Sequence, residues 1–124
     1  MLLIHCPYCD ETLPELEFAY AGEAHVDRPA DPQALDDETW RDFLFVRTNA
    51  KGPHFERWRH VHGCARFFNA VRDTVSDRFL ATYKAGEARP DLAALVAAQI
   101  PQTAGQPGAT DPAKAGQAPK EAAR

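Results

Sequence analysis

His5-Cys6-Pro7-Tyr8-Cys9 near the start of the chain and His60-Val61-His62-Gly63-Cys64 at its middle decide how this sequence folds. Cys6 and Cys9 have the C-x-x-C spacing that lets two thiolates of one tight turn reach the same ion at about 2.3 Å each. His60 and Cys64, spaced H-x-x-x-C where a strand runs out at Gly63, can direct an imidazole and a thiolate at one point. Together they form a Cys3His set, which predicts a closed tetrahedral zinc site of structural rather than hydrolytic type. Spacing leaves the histidine open: His62 shares a strand face with His60, and His5 sits beside Cys6. His25 and His54 read as ordinary side chains. Two other readings stand beside zinc. A redox C-x-x-C wants a helix N-terminus just after its first cysteine, and Pro14 with scattered acids opposes one there. Alternatively, Cys6, Cys9 and Cys64 are merely buried small side chains. Three cysteines cannot all pair, and a chain with no export signal is expected in the cytoplasm, where thiols stay reduced. Asp10 stands where such turns commonly place glycine, because that position favours positive φ.

Working outward, the roughly 50 residues between the two pairs exceed what a minimal finger needs and must carry structure of their own. Glu17-Phe18-Ala19-Tyr20 alternates and stops at Gly22, which predicts a short strand; Arg28 to Pro32 reads as an extended loop. From Asp36 to Leu44, acids precede apolar residues at 40, 43 and 44, the pattern of a capped short helix with Trp40 toward the core. Leu44 to Arg47 is β-prone, turn residues follow, and His54 to Val61 alternates, so a hairpin is expected between them. Phe67 to Val75 and Phe79 to Tyr83 read as two strands about Ser76-Asp77, with one long helix as the competing reading. Asp91 caps an apolar helix through Ile100 that Pro101 closes. The expected class is α+β: an antiparallel, zinc-ribbon-like sheet with short helices, one domain over residues 1–100, and a low-complexity disordered tail over 101–124.

The chain has 124 residues, 44% of them hydrophobic, which suits one core and not two. Its last 24 residues hold four prolines and three glycines but no Leu, Ile, Val or aromatic residue, and can build no core. No apolar run approaches the roughly 18 residues a membrane span needs. The net charge of −4 hides a division. Asp10 to Asp42 carries eleven acidic residues against two basic; Phe43 to Arg89 carries nine basic against four acidic. The two segments either neutralise each other in the fold, the reading favoured here, or present oppositely charged faces to a partner. Interleaved Phe55, Arg57, Trp58, Arg59, Arg66, Phe67, Phe68 and Arg72 raise the question of nucleic acid, but alternating strand aromatics are more often core and the whole chain is acidic. No G-x-G-x-x-G, P-loop or activated nucleophile is visible, so no catalytic residue is expected on this chain.

The strings do more than fit a spacing. His5-Cys6-Pro7-Tyr8-Cys9, Gly22 to Asp31, Trp58 to Cys64, Phe68 to Thr74 and Leu80-Ala81-Thr82-Tyr83, in this order and at these separations, resemble the delta subunit family of heterotetrameric sarcosine oxidase over about residues 1 to 90. Asp10 and Phe67 depart from the Gly and Trp that family members often carry there, and neither removes a ligand. The resemblance implies an accessory subunit of a cytoplasmic flavoenzyme that oxidatively demethylates sarcosine to glycine, with hydrogen peroxide and a one-carbon unit as the other products. It implies that the alpha, beta and gamma subunits carry FAD, FMN and NAD, with tetrahydrofolate as one-carbon acceptor. The large alpha subunit is the foremost expected partner. Zinc is implied at Cys6, Cys9, His60 and Cys64, which selects His60 over His62. Similar delta chains accompany complexes acting on other N-methylated amino acids, so sarcosine is the first of several implied substrates. A stand-alone zinc-ribbon nucleic-acid binder and a small dithiol redox protein are the alternatives from other classes.

Overall fold

In the computed structural model, which describes residues 1–99, the first cysteine pair lies on a hairpin. Strand β1 (Leu3–Cys6) pairs antiparallel with β2 (Glu11–Pro14), Ile4 opposite Leu13 and Cys6 opposite Glu11. A 3-10 turn over Glu15–Glu17 leads into β3 (Ala19–Glu23), and a second over Pro32–Ala34 precedes helix α1 (Asp37–Phe45). Strands β4 (Pro53–Arg59), β5 (Phe67–Asp73) and β6 (Arg78–Lys84) complete a four-stranded antiparallel meander, ordered β3-β4-β5-β6, before helix α2 (Leu92–Gln99). The β3–β4 register slips between Tyr20 and Glu23, where Gly22 takes φ 100°, a region that glycine enters without strain.

Period-two alternation gives the sheet two differently covered faces. Trp58 lies opposite Phe68, and this face packs on Ile4, Cys6 and Phe18, so the β1–β2 hairpin covers it next to the cysteines. On the reverse face, Phe55 lies opposite Val71, and His25 lies between Phe55 and Tyr83, donating to or accepting from the Tyr83 hydroxyl at 2.6 Å. Ala24, Val71 and Tyr83 are buried there. His25 is thus a half-buried residue with a definite hydrogen bond, held below its ordinary pKa by burial and then by the Arg89 charge.

The strands about Ser76-Asp77 form as the sequence predicts, because the turn is locally satisfied: the Asp73 carboxylate accepts from the Val75 amide at 3.0 Å and the Ser76 hydroxyl at 2.8 Å. Helix α1 also begins where expected, the Asp36 carboxylate accepting the Thr39 N–H at 3.0 Å, and α2 begins after Asp91, which accepts from the Ala93 amide. Ile100, Pro101 and the tail lie outside the described residues.

Three expectations are corrected. Leu44 and Phe45 belong to the last turn of α1, not to a hairpin with β4; the Arg47 guanidinium closes that helix on the Phe43 and Val46 carbonyls at 2.7 and 2.8 Å, and β4 pairs with β3 and β5 instead. Trp40 packs on Phe43 within its own helix, and no residue of α1 is buried. Nor do the acidic and basic segments neutralise each other. Among the described residues, every ion pair of an arginine stays within its own segment: Arg41 with Glu38 and Asp42, Arg72 with Glu56 and Asp77. Between the two segments the only approach of an imidazole or cation to a carboxylate within 4.0 Å, among the described residues, is His54 to Glu23; backbone pairing of β3 with β4 and the Thr48 amide on the Glu23 carboxylate at 3.0 Å join them otherwise. No helix among the described residues is long and apolar enough to cross a membrane.

Candidate metal centre

Cys6 ends β1, and the chain must turn at once to pair β2. Asp10 makes this possible by taking φ 57°, its amide donating to the Cys6 carbonyl at 2.9 Å. Aspartate is among the few residue types other than glycine that enter this region readily. The second knuckle follows β4 in the same manner: the Ala65 amide donates to the His60 carbonyl at 2.8 Å, Ala65 takes φ 60°, and the His60 amide donates to Arg66 at 3.1 Å. The His62 amide donates to the Glu17 carbonyl, fastening this knuckle to the 3-10 turn after β2.

The two knuckles bring Cys6, Cys9, His60 and Cys64 together, one donor atom of each lying within 4.8 Å of all the others. The Cys6 and Cys64 sulfurs are 3.8 Å apart, and the His60 Nδ1 lies 3.5 Å from the Cys9 sulfur and 3.7 Å from that of Cys64. Cys6 and His60 are buried, Cys9 and Cys64 half-buried. Phe18 stacks on the imidazole with ring centroids 4.6 Å apart. Gly63 lies so close to that ring that a Cβ there would come within 2.0 Å of Cε1 and 2.3 Å of Nε2. Glycine at position 63 is thus a matter of space.

Sulfurs this close do not ionise independently. Burial pushes the Cys9 thiol up to about 11, with the Cys64 and Cys6 sulfurs adding to the effect. Burial acts in the same direction on Cys64, but the Arg66 amide and the neighbouring sulfurs outweigh it and hold that thiol below its ordinary value. Three sulfurs and one imidazole nitrogen gathered this closely are a donor set that could hold a metal ion, and a bound cation would favour the thiolate form of each cysteine.

His62 and His5 stand outside this cluster. His62 is exposed, while His5 bonds Thr12 at 3.1 Å and approaches Asp10 at 3.3 Å. A second polar cluster escaped the sequence reading. Glu56, 1% exposed, accepts from Arg72 through both carboxylate oxygens at 2.7 and 2.9 Å and from the Trp58 indole at 2.9 Å, with His54 at 3.6 Å. Its one sequence signal was a charged residue on the inward beat of the β4 alternation, two places from Trp58.

Fold and cluster define a class: a small antiparallel-sheet protein whose two knuckles converge on a Cys3His cluster able to take a metal. Its affiliation is narrower. Residues 3–85 match the model of the sarcosine oxidase, delta subunit family, and the chain belongs to that family. It is 56% identical over 92 residues to sarcosine oxidase subunit delta of Corynebacterium sp. (strain U-96), covering 74% of this chain and 92% of that one. The corresponding subunit of Corynebacterium sp. (strain P-1) is 52% identical over 92 residues, 74% and 93% covered. That of Rhizobium meliloti (strain 1021) is 36% identical over 90 residues, 72% and 94% covered.

Proposed function

We propose that this chain is the zinc-binding delta subunit of a sarcosine oxidase complex, with Cys6, Cys9, His60 and Cys64 as the zinc ligands. The observation that carries the reading is the Cys3His cluster lying within the family-matched residues. A tetrahedron of zinc–sulfur bonds about 2.3 Å long has sulfur–sulfur edges of about 3.8 Å and slightly shorter sulfur–nitrogen edges, and the Cys6–Cys64 and Cys9–His60 separations of 3.8 and 3.5 Å fit it. Four protein donors would complete the coordination sphere, so the zinc supplies folding energy and no bound water for hydrolysis. In this reading the domain is a zinc-ribbon-like unit over residues 1–100, residues 101–124 are dispensable, and the chain has no catalytic residue of its own.

The complex is the cytoplasmic heterotetramer that oxidatively demethylates sarcosine to glycine. FAD, FMN, NAD and tetrahydrofolate belong to its other subunits, and the large alpha subunit is the neighbour of this chain. Related N-methyl amino acids are the substrate alternative. The deciding experiment measures metal in the purified chain and co-purifies it with the flavin-bearing subunits. One zinc per chain and assembly only when this chain is co-expressed support the reading; a metal-free, chelator-indifferent fold or full assembly and activity without the chain overturns it.

A further inference from the structure

The imidazole of the Cys3His cluster is held differently from its sulfurs. The Cys9 amide donates to the Cys6 sulfur at 3.5 Å, and the Arg66 amide donates to that of Cys64. His60 turns Nδ1 toward the sulfurs, 3.5 Å from that of Cys9 and 3.7 Å from that of Cys64, which leaves Nε2 as its outer nitrogen. In nearly all metal-binding histidines that second nitrogen donates to a carboxylate, a carbonyl or water, and the hydrogen bond fixes the tautomer and the orientation of the ring. Here Nε2 is buried and has no hydrogen-bond partner among the described residues. A Cβ on Gly63 would lie 2.0, 2.3 and 2.5 Å from Cε1, Nε2 and Nδ1, three nearly equal distances that put the Gly63 backbone over the face of the ring and not at its edge.

Phe18 supplies what the missing hydrogen bond does not. Its ring stacks on the imidazole with 22° between the planes, and Phe68, fully buried, meets it edge-on at 5.8 Å. The backbone under Phe18 is fixed as well: its amide donates to the Glu15 carbonyl at 3.0 Å, and the Glu17 carbonyl just before it accepts the His62 amide at 3.2 Å. The segment carrying the phenyl ring is thereby tied to the knuckle carrying the imidazole. On the reading that Cys6, Cys9, His60 and Cys64 hold zinc, we propose that Phe18 is the positioning residue of the site: its stacked ring, in place of a hydrogen bond at Nε2, keeps His60 presenting Nδ1 to the metal. An imidazole that gives Nδ1 to a metal carries its proton on Nε2, and a buried N–H without an acceptor is a standing cost. His60 is therefore the least secured of the four donors and the first to leave when the metal is exchanged.

Two measurements on the full-length chain test this. In nitrogen-labelled wild type loaded with NMR-active cadmium in place of zinc, coupling between metal and nitrogen is expected at Nδ1 of His60, with a slowly exchanging proton on Nε2 that shows no hydrogen-bond shift. Coupling at Nε2, or a hydrogen-bonded N–H there, overturns the proposal without any variant having to fold. The second measurement follows zinc release to an excess of a chromogenic chelator. Phe18→Leu, which keeps an apolar side chain but no π face, is expected to release zinc about 10- to 100-fold faster than wild type, and Phe18→Tyr, which keeps the ring, to stay within about threefold of it. Phe68→Leu removes an aromatic of the same buried cluster that meets Phe18 rather than the imidazole, and it is expected to stay within that limit too. Equal acceleration in Phe18→Leu and Phe68→Leu, no acceleration in Phe18→Leu, or release from Phe18→Tyr as fast as from Phe18→Leu overturns the positioning role and leaves the zinc reading standing. A wild-type chain that takes up neither zinc nor cadmium overturns the zinc reading and this inference with it.

Discussion

Between Glu23 and Pro53 the chain leaves the sheet, forms α1 and returns without burying a single residue of that helix, whereas the knuckles, each a few residues long, bury both Cys6 and His60. Both regions are rich in turns and both follow a strand. They differ in where their bonding partners come from. Helix α1 is satisfied locally, by Asp36 at its start and Arg47 at its end, and the Thr48 amide reaching the Glu23 carboxylate at 3.0 Å ties it to the sheet. The side chains of the candidate metal centre come from two knuckles far apart in the sequence, 58 residues between Cys6 and Cys64. A region held by local caps can fray alone; one held by distant donors stands or falls with the whole domain.

Removing a donor should have the largest effect. His60→Ala or Cys64→Ala is expected to abolish zinc binding and, since structural zinc contributes on the order of 10 kcal/mol, to erase the cooperative thermal transition, as metal analysis and calorimetry would show. A mutant that loses zinc and still melts cooperatively would break the contrast with α1. Next comes Glu56→Ala, which leaves Arg72 and the Trp58 indole without their acceptor in a buried setting. Urea denaturation is expected to show a loss of about 3 kcal/mol. Gly63→Ala pushes the His60 ring aside. Competition with a chelator should show metal affinity lowered about 10- to 100-fold while the strands persist.

Acid should act on the locally held region. Burial pushes Glu23 up, but the Thr48 amide and the His54 and Arg47 charges prevail and hold it below the usual glutamate range; the Thr39 cap holds Asp36 down likewise. The folded form therefore binds fewer protons at these groups than the unfolded chain does. Their stabilisation is complete above about pH 4 to 5 and is lost as pH falls through the lowered values. The protection factors of the Thr39 and Thr48 amides, that is, exchange corrected for its intrinsic pH dependence, should fall on that descent, and Glu23→Gln should remove the response at Thr48 only. The smallest effect sharpens the comparison most: Trp40→Ala is expected to change stability by less than about 0.5 kcal/mol, against about 3 to 5 for Phe68→Ala on the buried face. A large loss at Trp40 would mean that α1 is part of the core after all.

Much of this was legible because the signals were local. The β5–β6 hairpin was readable from turn residues whose side chains bond within three positions, and the α1 and α2 starts from an aspartate that caps two or three residues on. The hairpin expected of Leu44 to Arg47 failed for the complementary reason: β-prone residues were read alone, while the cap at Asp36 and the arginine closure at Arg47 continue the helix through them. Residue type alone points Trp40 inward, whereas it packs on Phe43 of its own helix and no residue of α1 is buried. Glu56 and Arg72 could not be paired from sequence, since the bond that neutralises them crosses between strands whose register was unknown.

By itself the sequence determined the donor types, their spacing and the two knuckles, because C-x-x-C and H-x-x-x-C turns are short-range objects whose geometry a few residues set. Only the tertiary structure decided which imidazole joins the three sulfurs by geometry. Backbone direction leaving β4 turns His60 inward under Phe18 and Gly63, and it sends His62 outward to solvent. It also decided that the arginines pair with carboxylates of their own segment although β3 and β4 bring the two segments side by side. Ion pairing depends on distances between strands and loops far apart in the chain, and composition carries no information about those distances.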